Sequence, residues 1–244
     1  MVKKETSCIK ISDSLLCPTC KTKNLIKNGF TKNKKQQFYC KNCNKRCIDF
    51  YCYKAYKSTT NTKIIQFIKE GLGIRNTARV LQISTTTLLK RIIAIAKKIP
   101  SPFFYKNRSY EVDEMRCYLK WKDKPIWIVY ALERKTKRIV SFSLGRRTKR
   151  TLQNVTNSLI LSLPKSIYTD GLVHYKSLLH NSIHKIKRFG TNAIERNNLS
   201  MRTHVKRLQR KTICFSRSFM LLQCVLRIYF WGCNFSTENS CGQS

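Results

Sequence analysis

The sequence predicts an α/β protein in which two small amino-terminal units precede a larger domain built on a mixed five-stranded sheet. Two cysteine pairs with C-x-x-C spacing lie between positions 17 and 43 and indicate a metal-binding unit. Apolar residues then recur at helical spacing from position 62 to 99. From position 109 they alternate as in strands, and helix-like segments follow. The predicted regions are 12–52, 61–99 and 109–235.

The charge balance of the chain indicates a polyanionic partner. Its 244 residues include 49 Lys and Arg against 12 Asp and Glu, which gives a formal net charge of +37. Such an excess repels itself unless a polyanion is bound, so we expect double-stranded DNA, held through its phosphates. A lysine-rich genome would explain part of the Lys content but not the scarcity of acids. The 42% hydrophobic content allows a packed core.

The apolar segments are too short to suggest a membrane span. No apolar run approaches the roughly 18 residues that a spanning helix needs, and the start, MVKKETSCIK, lacks the apolar stretch of a signal peptide. Twelve cysteines in such a chain favour bound metal or reduced thiols over disulfides. We therefore expect a cytoplasmic protein with no membrane partner.

Four cysteines have the spacing of a structural zinc site. Cys17 and Cys20 form one C-x-x-C pair, Cys40 and Cys43 form a second, and 19 residues that suggest a hairpin separate them. Tetrahedral thiolate ligation of Zn²⁺ requires two such short loops brought together. Since all four positions are filled by Cys, no coordination position is left for a substrate. Region 12–52 is therefore predicted to be a zinc ribbon with a structural ion.

Region 61–99 is predicted to contain three helices, the last two joined by a short turn. Helix-turn-helix units have this form, and their second helix enters the DNA major groove. The predicted core is Ala78, Leu81, Ile83 and Leu88, and the candidate DNA contacts are Thr85, Thr86, Thr87, Lys90 and Arg91. The apolar pattern continues to Ile99, beyond what a groove-reading helix needs, so we expect that end to pack on a partner subunit. The alternative is a three-helix bundle with no DNA role.

The carboxyl-terminal region 109–235 alternates strand and helix patterns. SYEVDEMRCYLKW, KPIWIVYALERKT and KRIVSFSLG suggest three antiparallel strands, TKRTLQNVTNSLILSL a helix and KSIYTD a strand ending at Asp170. A helical turn and a short fifth strand come next, and TNAIERNNLSMRTHVKRLQRK then suggests a helix with Glu195 in its first turn and Leu199 among its apolar positions. An apolar segment from Phe215 to Phe235 suggests a last helix that packs on the sheet.

Carboxylates are rare in this region, and their rarity is informative. From Arg134 to Ser244 the acids are Asp170, Glu195 and Glu238, against 21 Lys and Arg. A Glu in the first turn of a helix usually complements the helix dipole at the surface. A solvated surface, however, normally carries acidic and basic residues together, and this region has almost no other acids. Binding of divalent metal needs a third acid, and the adjacent Asp113 and Glu114 of the first strand are both candidates.

The order of elements and acids resembles the ribonuclease H-like fold of the DDE transposases and integrases. The segments EVDE, YTDG and IERNN, the 24 residues between Asp170 and Glu195, and an Arg seven positions after that Glu are similar to the InsAB-type transposases of the insertion-sequence-one family. The resemblance extends to the amino-terminal half, where that family has a zinc ribbon and a helix-turn-helix. It therefore covers most of the chain.

The resemblance implies a site, a reaction and a setting. Asp113, Asp170 and Glu195 would be the catalytic triad that binds Mg²⁺ or Mn²⁺. Asn198 and Arg202, three and seven residues after Glu195, share its helix face and would contact DNA; for Arg202 a solvated helix charge is the alternative. The protein would bind the terminal inverted repeats of its insertion sequence as a homo-oligomer, then cleave and transfer strands. Its location would be the cytoplasm of a prokaryote, at the nucleoid.

Two other functions use some of the same parts. A sequence-specific DNA-binding repressor needs only the zinc ribbon and the helix-turn-helix, and it would bind DNA without cleaving it. A ribonuclease H-like nuclease or resolvase would cleave strands without joining them. The complete set of acids argues against the repressor, whereas cleavage and joining can be separated only by an assay.

Overall fold

A computed structural model describes residues 9–10, 16–48, 50–51, 54–57, 59–209 and 216–232. By its internal contacts the chain divides into two compact units, Met1–Thr60 and Asn61–Ser244. The predicted helix-turn-helix and catalytic regions thus lie in one compact unit. Their separation into two domains stays a prediction.

The amino-terminal unit is made of short antiparallel strands. Its strands are β1 (Ile9–Lys10), β2 (Leu25–Phe30), β3 (Gln36–Cys40), β4 (Arg46–Ile48) and β5 (Phe50–Tyr51). β2, β3 and β4 form one antiparallel sheet, and β1 pairs with β5. The β2–β3 hairpin is the one predicted between the two cysteine pairs. It brings Leu25 opposite Cys40 and thereby places the second pair beside the start of the hairpin.

Three helices open the second unit, at the predicted positions. They are α1 (Thr60–Lys69), α2 (Ile74–Leu81) and α3 (Thr85–Lys98). Gln82 adopts a left-handed φ of 52° that ends α2, and the Ser84 hydroxyl accepts a hydrogen bond from the Thr87 amide, 3.1 Å away, which caps α3. Of the predicted core residues, Ala78, Ile83 and Leu88 are buried, and Leu81 is half-buried.

A five-stranded mixed sheet dominates the rest of the unit. In chain order the elements are β6 (Ser109–Leu119), β7 (Trp121–Glu133), β8 (Ile139–Gly145), α4 (Lys149–Ile160), β9 (Ser166–Tyr168), α5 (Val173–Lys176), β10 (His184–Lys185), α6 (Asn192–His204) and α7 (Phe219–Trp231). The strand order is β10-β9-β6-β7-β8, with β6, β7 and β8 antiparallel and β9 and β10 parallel to β6. Numbered within the sheet, this is the order 5-4-1-2-3 of the ribonuclease H-like fold. The predicted fold is confirmed.

Both faces of the sheet are covered by helices. On one face Met115 and Ile128 pack with Ile194 and Met201 of α6 and with Leu226 of α7. On the other face a second apolar cluster joins the sheet to α4 and α5, with Val112, Val129, Leu152, Leu159 and Tyr175 among its fully buried members. Because successive residues of a strand point to opposite faces, neighbouring acids on β6 enter different environments.

The far end of α3 packs within the chain. Ile92, Ile95 and Ile99 are buried, and α3 contacts α7. The Arg227 guanidinium of α7 donates two hydrogen bonds to the carbonyl of Ile99, at 2.7 and 3.0 Å. The expectation that this end covers a partner subunit was therefore wrong, because the last helix of the same chain supplies the apolar surface.

The helix that carries Glu195 is shorter than predicted. α6 ends at His204, and a 3₁₀ turn, Lys206–Leu208, follows it. Leu199 was also predicted wrongly as a core position, since 67% of its surface is exposed. The buried positions of α6 are Ile194 and Met201, two turns apart.

Among the helices of the described residues, none combines the length and the apolar character that crossing a membrane requires.

Candidate functional site

The four predicted zinc ligands lie together. The sulfur atoms of Cys17, Cys20, Cys40 and Cys43 are all within 4.8 Å of one another. The Cys17–Cys43 and Cys20–Cys40 sulfur pairs are each 3.5 Å apart. Hydrogen bonding by Thr22, whose hydroxyl is 3.2 Å from the Cys20 sulfur, lowers the pKa of Cys20 to about 6 and favours its thiolate. Four clustered thiols of this kind can hold a metal ion.

Asp113 lies on β6, the central strand of the five-stranded sheet, and its carboxylate is partly exposed. One oxygen accepts a hydrogen bond from the Glu114 amide and the other from the Asn198 side-chain amide, both at 2.7 Å. Burial raises the pKa of Asp113 to about 6, against the effect of the two hydrogen bonds, and the charge of Asp170 adds to the increase.

Strand register explains why Asp170 approaches Asp113. β9 is parallel to β6, and Glu111 pairs with Tyr168. Asp113 and Asp170 each lie two residues after these partners, so they occupy matching positions where the two neighbouring strands leave the paired region. Asp170 is exposed, and its Oδ1 accepts a hydrogen bond from the Leu172 amide at 3.1 Å. This turn holds the carboxylate just beyond the carboxyl end of β9.

Glu195 lies in the first turn of α6 and is exposed. Its Oε1 accepts a hydrogen bond from the Thr191 hydroxyl at 2.8 Å. Since Asn198, one turn later on the same face, reaches Asp113, the flank of α6 that carries Glu195 faces this part of β6. Among the described residues, however, the three carboxylates do not form a group within 4.8 Å as the thiols do.

Glu114, the other candidate acid of the first strand, has a different environment. It points to the opposite face, where it is buried and accepts a hydrogen bond from the Tyr175 hydroxyl at 2.5 Å. Arg147 pairs with it at 3.0 Å. These partners make Glu114 an anchor for α5, the helix that follows Asp170. The geometry therefore favours Asp113 as the acid of the site.

Two site residues were not found from the sequence. Tyr130 is fully buried, and its hydroxyl lies 2.9 Å from Oδ1 of Asn198, which accepts from it. This contact orients Asn198 so that its NH₂ group faces Asp113. Glu111 is also buried, and it accepts a hydrogen bond at 2.9 Å from the Ile194 amide in the first turn of α6. For Tyr130 the sequence did contain a signal, because it lies inside the apolar run WIVYALE and a buried hydroxyl needs a hydrogen-bond partner.

Arg202 connects the end of α6 to its surroundings. Its guanidinium donates to the backbone carbonyl of Leu208 at 2.9 Å and to that of Arg116 at 3.2 Å. These bonds fix the turn after α6 against β6. A phosphate contact by Arg202 stays a prediction.

The candidate DNA contacts of α3 are only partly engaged within the chain. Thr85, Thr86 and Lys90 are exposed. The Thr87 hydroxyl lies 2.8 Å from the Ser84 hydroxyl, and Arg91 donates to Asn61 at 2.7 Å. Contact of these five residues with DNA stays a prediction.

Comparison with known proteins identifies the family. The model of the IS1 transposase family matches residues 109–235, just over half of the chain. The InsB protein of insertion element IS1 from Shigella flexneri is 36% identical over 120 residues, which are 49% of this chain and 91% of that protein. The InsB protein of insertion element IS1 4 from Escherichia coli (strain K12) is 38% identical over 120 residues, which are 49% of this chain and 71% of that protein.

A chain in the solved structure of the simian T-cell lymphotropic virus intasome in complex with PP2A regulatory subunit B56 gamma is also similar. The sequence identity is 15% and the TM-score is 0.38, and the match covers 67% of this chain and 66% of that one. The family match rests on the sequence comparisons and on the span of the family model. The chain belongs to the IS1 transposase family.

Proposed function

We propose that this DNA transposase cleaves the ends of its insertion element and joins them to target DNA, with divalent metal ions held by Asp113, Asp170 and Glu195. One observation carries the proposal: Asp113 of the central strand and Asp170 after the neighbouring strand occupy matching positions in the strand register, and Asn198 of the helix that bears Glu195 donates a hydrogen bond to Asp113. Acids from three separate elements thus border one region of the surface.

The chemistry of these side chains fits Mg²⁺ or Mn²⁺. Carboxylate oxygens are the ligands that both ions favour. Within the part of the chain that the structure describes, no Lys or Arg pairs with any of the three acids, whereas Glu111, Glu114 and Glu133 each pair with an Arg. When bound, such ions activate the attacking oxygen and stabilise the leaving oxygen of a phosphodiester.

The chain's own residues prepare the carboxylates for this role. Asn198, oriented by Tyr130, fixes one oxygen of Asp113. Thr191 holds Glu195, and the turn at Leu172 holds Asp170. Each contact comes from a neutral donor, so the negative charge of the three acids is left for a cation.

For the amino-terminal unit we propose structural Zn²⁺ at the four thiols. Thiolates are the ligands that Zn²⁺ favours in closed structural sites. Four protein ligands complete a tetrahedral shell, so this ion would fold the zinc ribbon, predicted at 12–52, and would take no part in catalysis.

Recognition of DNA is assigned to α3 within the predicted helix-turn-helix domain, 61–99. Its exposed first turn, with Thr85, Thr86 and Lys90, would enter the major groove of the terminal inverted repeats, and Thr87 and Arg91 would adjust their contacts on binding. Two ends must be joined in one reaction, so we propose that a homo-oligomer on double-stranded DNA is the active form. The predicted catalytic domain, 109–235, would act at the nucleoid in the cytoplasm of a prokaryote.

An assay on labelled element ends tests the function. Duplex DNA that carries the inverted repeats flanking the reading frame is incubated with the full chain, target DNA and Mg²⁺ or Mn²⁺. We expect nicked ends with a 3′ hydroxyl and a joined product, both absent with EDTA or with scrambled repeats. Binding without cleavage would indicate a repressor instead. Cleavage with no joined product would indicate a nuclease or resolvase.

A further inference from the structure

A second concave surface lies on the other flank of α6. It is a cavity of about 510 Å³, within the size range of ligand pockets. The lining residues that matter here are Glu111, Arg134, Lys137, Phe189, Arg196 and Asn197. None of the three acids of the proposed active site lines it.

The side chains that line the cavity carry a net positive charge. The carboxylate of Glu111 is already satisfied, because one oxygen accepts from Arg134 at 3.0 Å and the other from the Ile194 amide at 2.9 Å. Lys137 and Arg196 are exposed, and neither has an ion-pair partner among the residues that the structure describes. A ligand that complements this wall carries negative charge.

An exposed aromatic ring completes the wall. Phe189 is 67% exposed, and its backbone has a φ of 62°, a left-handed conformation that is rare for a bulky residue. It lies in the turn closed by the hydrogen bond from the Gly190 amide to the Lys187 carbonyl. The guanidinium of Arg188 lies 5.0 Å from the centre of the ring. The turn therefore presents an aromatic face to solvent beside the cations.

We propose that this cavity binds an unpaired nucleotide of a DNA strand, with Phe189 stacking on the base and Lys137 and Arg196 contacting the phosphates. Proteins bind single strands with this combination of aromatic faces and cations. A paired base in a duplex has no free face to offer, so a duplex would reach only the cations. The inference deepens the proposed function and rests on it for the identity of the strand.

The position of the cavity suits a strand that also reaches the acids. Arg196 follows Glu195 by one residue, about 100° further round the helix, so the two side chains lie on different flanks of α6. A helix is roughly 10 Å wide, and phosphates along one strand are spaced about 3.4 Å apart along the duplex axis. A nucleotide in the cavity would thus lie within a few positions of a phosphate at the acids.

The test compares single-stranded and duplex binding without added divalent metal. Fluorescence anisotropy measures the affinity of the full chain for a labelled oligothymidine of about 12 nucleotides and for the matching duplex. Phe189→Ala should weaken single-strand binding about tenfold and change duplex binding less than about twofold. The double variant Lys137→Gln, Arg196→Gln should lower the slope of log affinity against log salt for the single strand by about 1.4.

Two controls make the result specific. Phe103→Ala removes another aromatic ring, 85% exposed, and Arg150→Gln removes another exposed cation; neither should change the single-strand to duplex ratio. Equal losses on both kinds of DNA for Phe189→Ala, or no loss of single-strand binding in either cavity variant, would overturn the inference. If Phe189→Ala does not fold, Phe189→Leu, which keeps apolar bulk but removes the aromatic face, replaces it in the same comparison. This binding experiment does not measure cleavage, so a negative result would count against the cavity and not against the three acids. Conversely, absence of cleavage by a protein that keeps its single-strand preference would count against the proposed function only.

Discussion

The four thiols of the amino-terminal unit and the three acids of the carboxyl-terminal unit are both candidate metal ligands, but the chain assembles them to different degrees. The thiols all lie within 4.8 Å of one another. Asp113 and Asp170 interact electrostatically, whereas Glu195 turns back onto Thr191. The thiol set is complete without any other molecule. The acid set borders an open surface to which DNA phosphates could add ligands.

This difference fits the role that we propose for each site. A structural ion needs all its ligands from the chain, and one hairpin between two C-x-x-C pairs supplies them. A catalytic Mg²⁺ site commonly takes one or two carboxylates and completes its shell with substrate phosphates and water. Like charges on Asp113 and Asp170 disfavour each other, so we expect a bound divalent cation to stabilise the ionised form of both acids.

The largest expected effect is on the thiol site. Structural Zn²⁺ in small units contributes on the order of 10 kcal/mol to folding. Cys17→Ser or Cys40→Ser should therefore unfold residues 17–47 and weaken binding to terminal repeats, while the second unit stays folded. Elemental analysis for zinc, together with Trp fluorescence from the second unit, measures both outcomes. Wild-type protein without stoichiometric zinc would contradict the proposal.

A smaller effect, on the pH dependence of stability, should follow from the partial burial of Asp113. Burial raises the pKa of Asp113 to about 6, above the roughly 3.9 of an unfolded Asp. The folded state therefore binds the Asp113 proton more tightly than the unfolded state does. This difference adds to the free energy of unfolding below about pH 4, and the added stability is lost as the pH rises to about 6.

The Asn side chain of Asp113→Asn does not ionise, so this variant should not lose stability as the pH rises from about 4 to about 6. Without added Mg²⁺ or Mn²⁺, its unfolding free energy relative to wild type should improve by roughly 2–3 kcal/mol between pH 4 and pH 7. Urea unfolding followed by Trp fluorescence measures the difference. Asp123→Asn, an exposed acid in the same unit, serves as control and should show no such trend. An equal trend in both variants would mean that burial of Asp113 is not the cause.

The smallest expected effect concerns α3, where no metal is involved. Replacing Thr86 and Lys90 by Ala should lower affinity for terminal-repeat DNA by about tenfold and affinity for unrelated DNA by much less, because base contacts carry sequence information and phosphate contacts do not. Arg91→Ala is a weaker test, since Arg91 also binds Asn61. Equal losses on both DNAs would exclude a base-reading role for these residues.

Local signals in the sequence were sufficient for most of the fold. The C-x-x-C pairs, the turn at Gln82 to Ser84 and the alternation on β6 each act over a few residues, and the structure has the corresponding elements there. The wrong expectation for the end of α3 had a non-local cause. Its apolar pattern correctly predicted a buried surface, but periodicity cannot show that α7 of the same chain covers it.

The site was predictable only in part, for the same reason. Scarcity of acids singled out Asp170 and Glu195. The residue pattern left the adjacent Asp113 and Glu114 both open, and only the family resemblance chose Asp113, because the pattern does not show what lies on each face of β6. Arg147 and Tyr175, which engage Glu114, are 33 and 61 residues away in the chain. Tyr130 was missed because its role depends on contact with Asn198, 68 residues later.

Parallel cleavage and binding measurements on charge-removing variants test the central claim most directly. Asp113→Asn, Asp170→Asn and Glu195→Gln should fold, bind element-end DNA at least as well as wild type, and lose Mg²⁺-dependent cleavage and joining by about a thousandfold, since several kcal/mol of transition-state stabilisation would be lost. Asp123→Asn should keep both activities. Near-normal cleavage by Glu195→Gln would show that Glu195 is not a metal ligand, and near-normal cleavage by all three variants would contradict the triad.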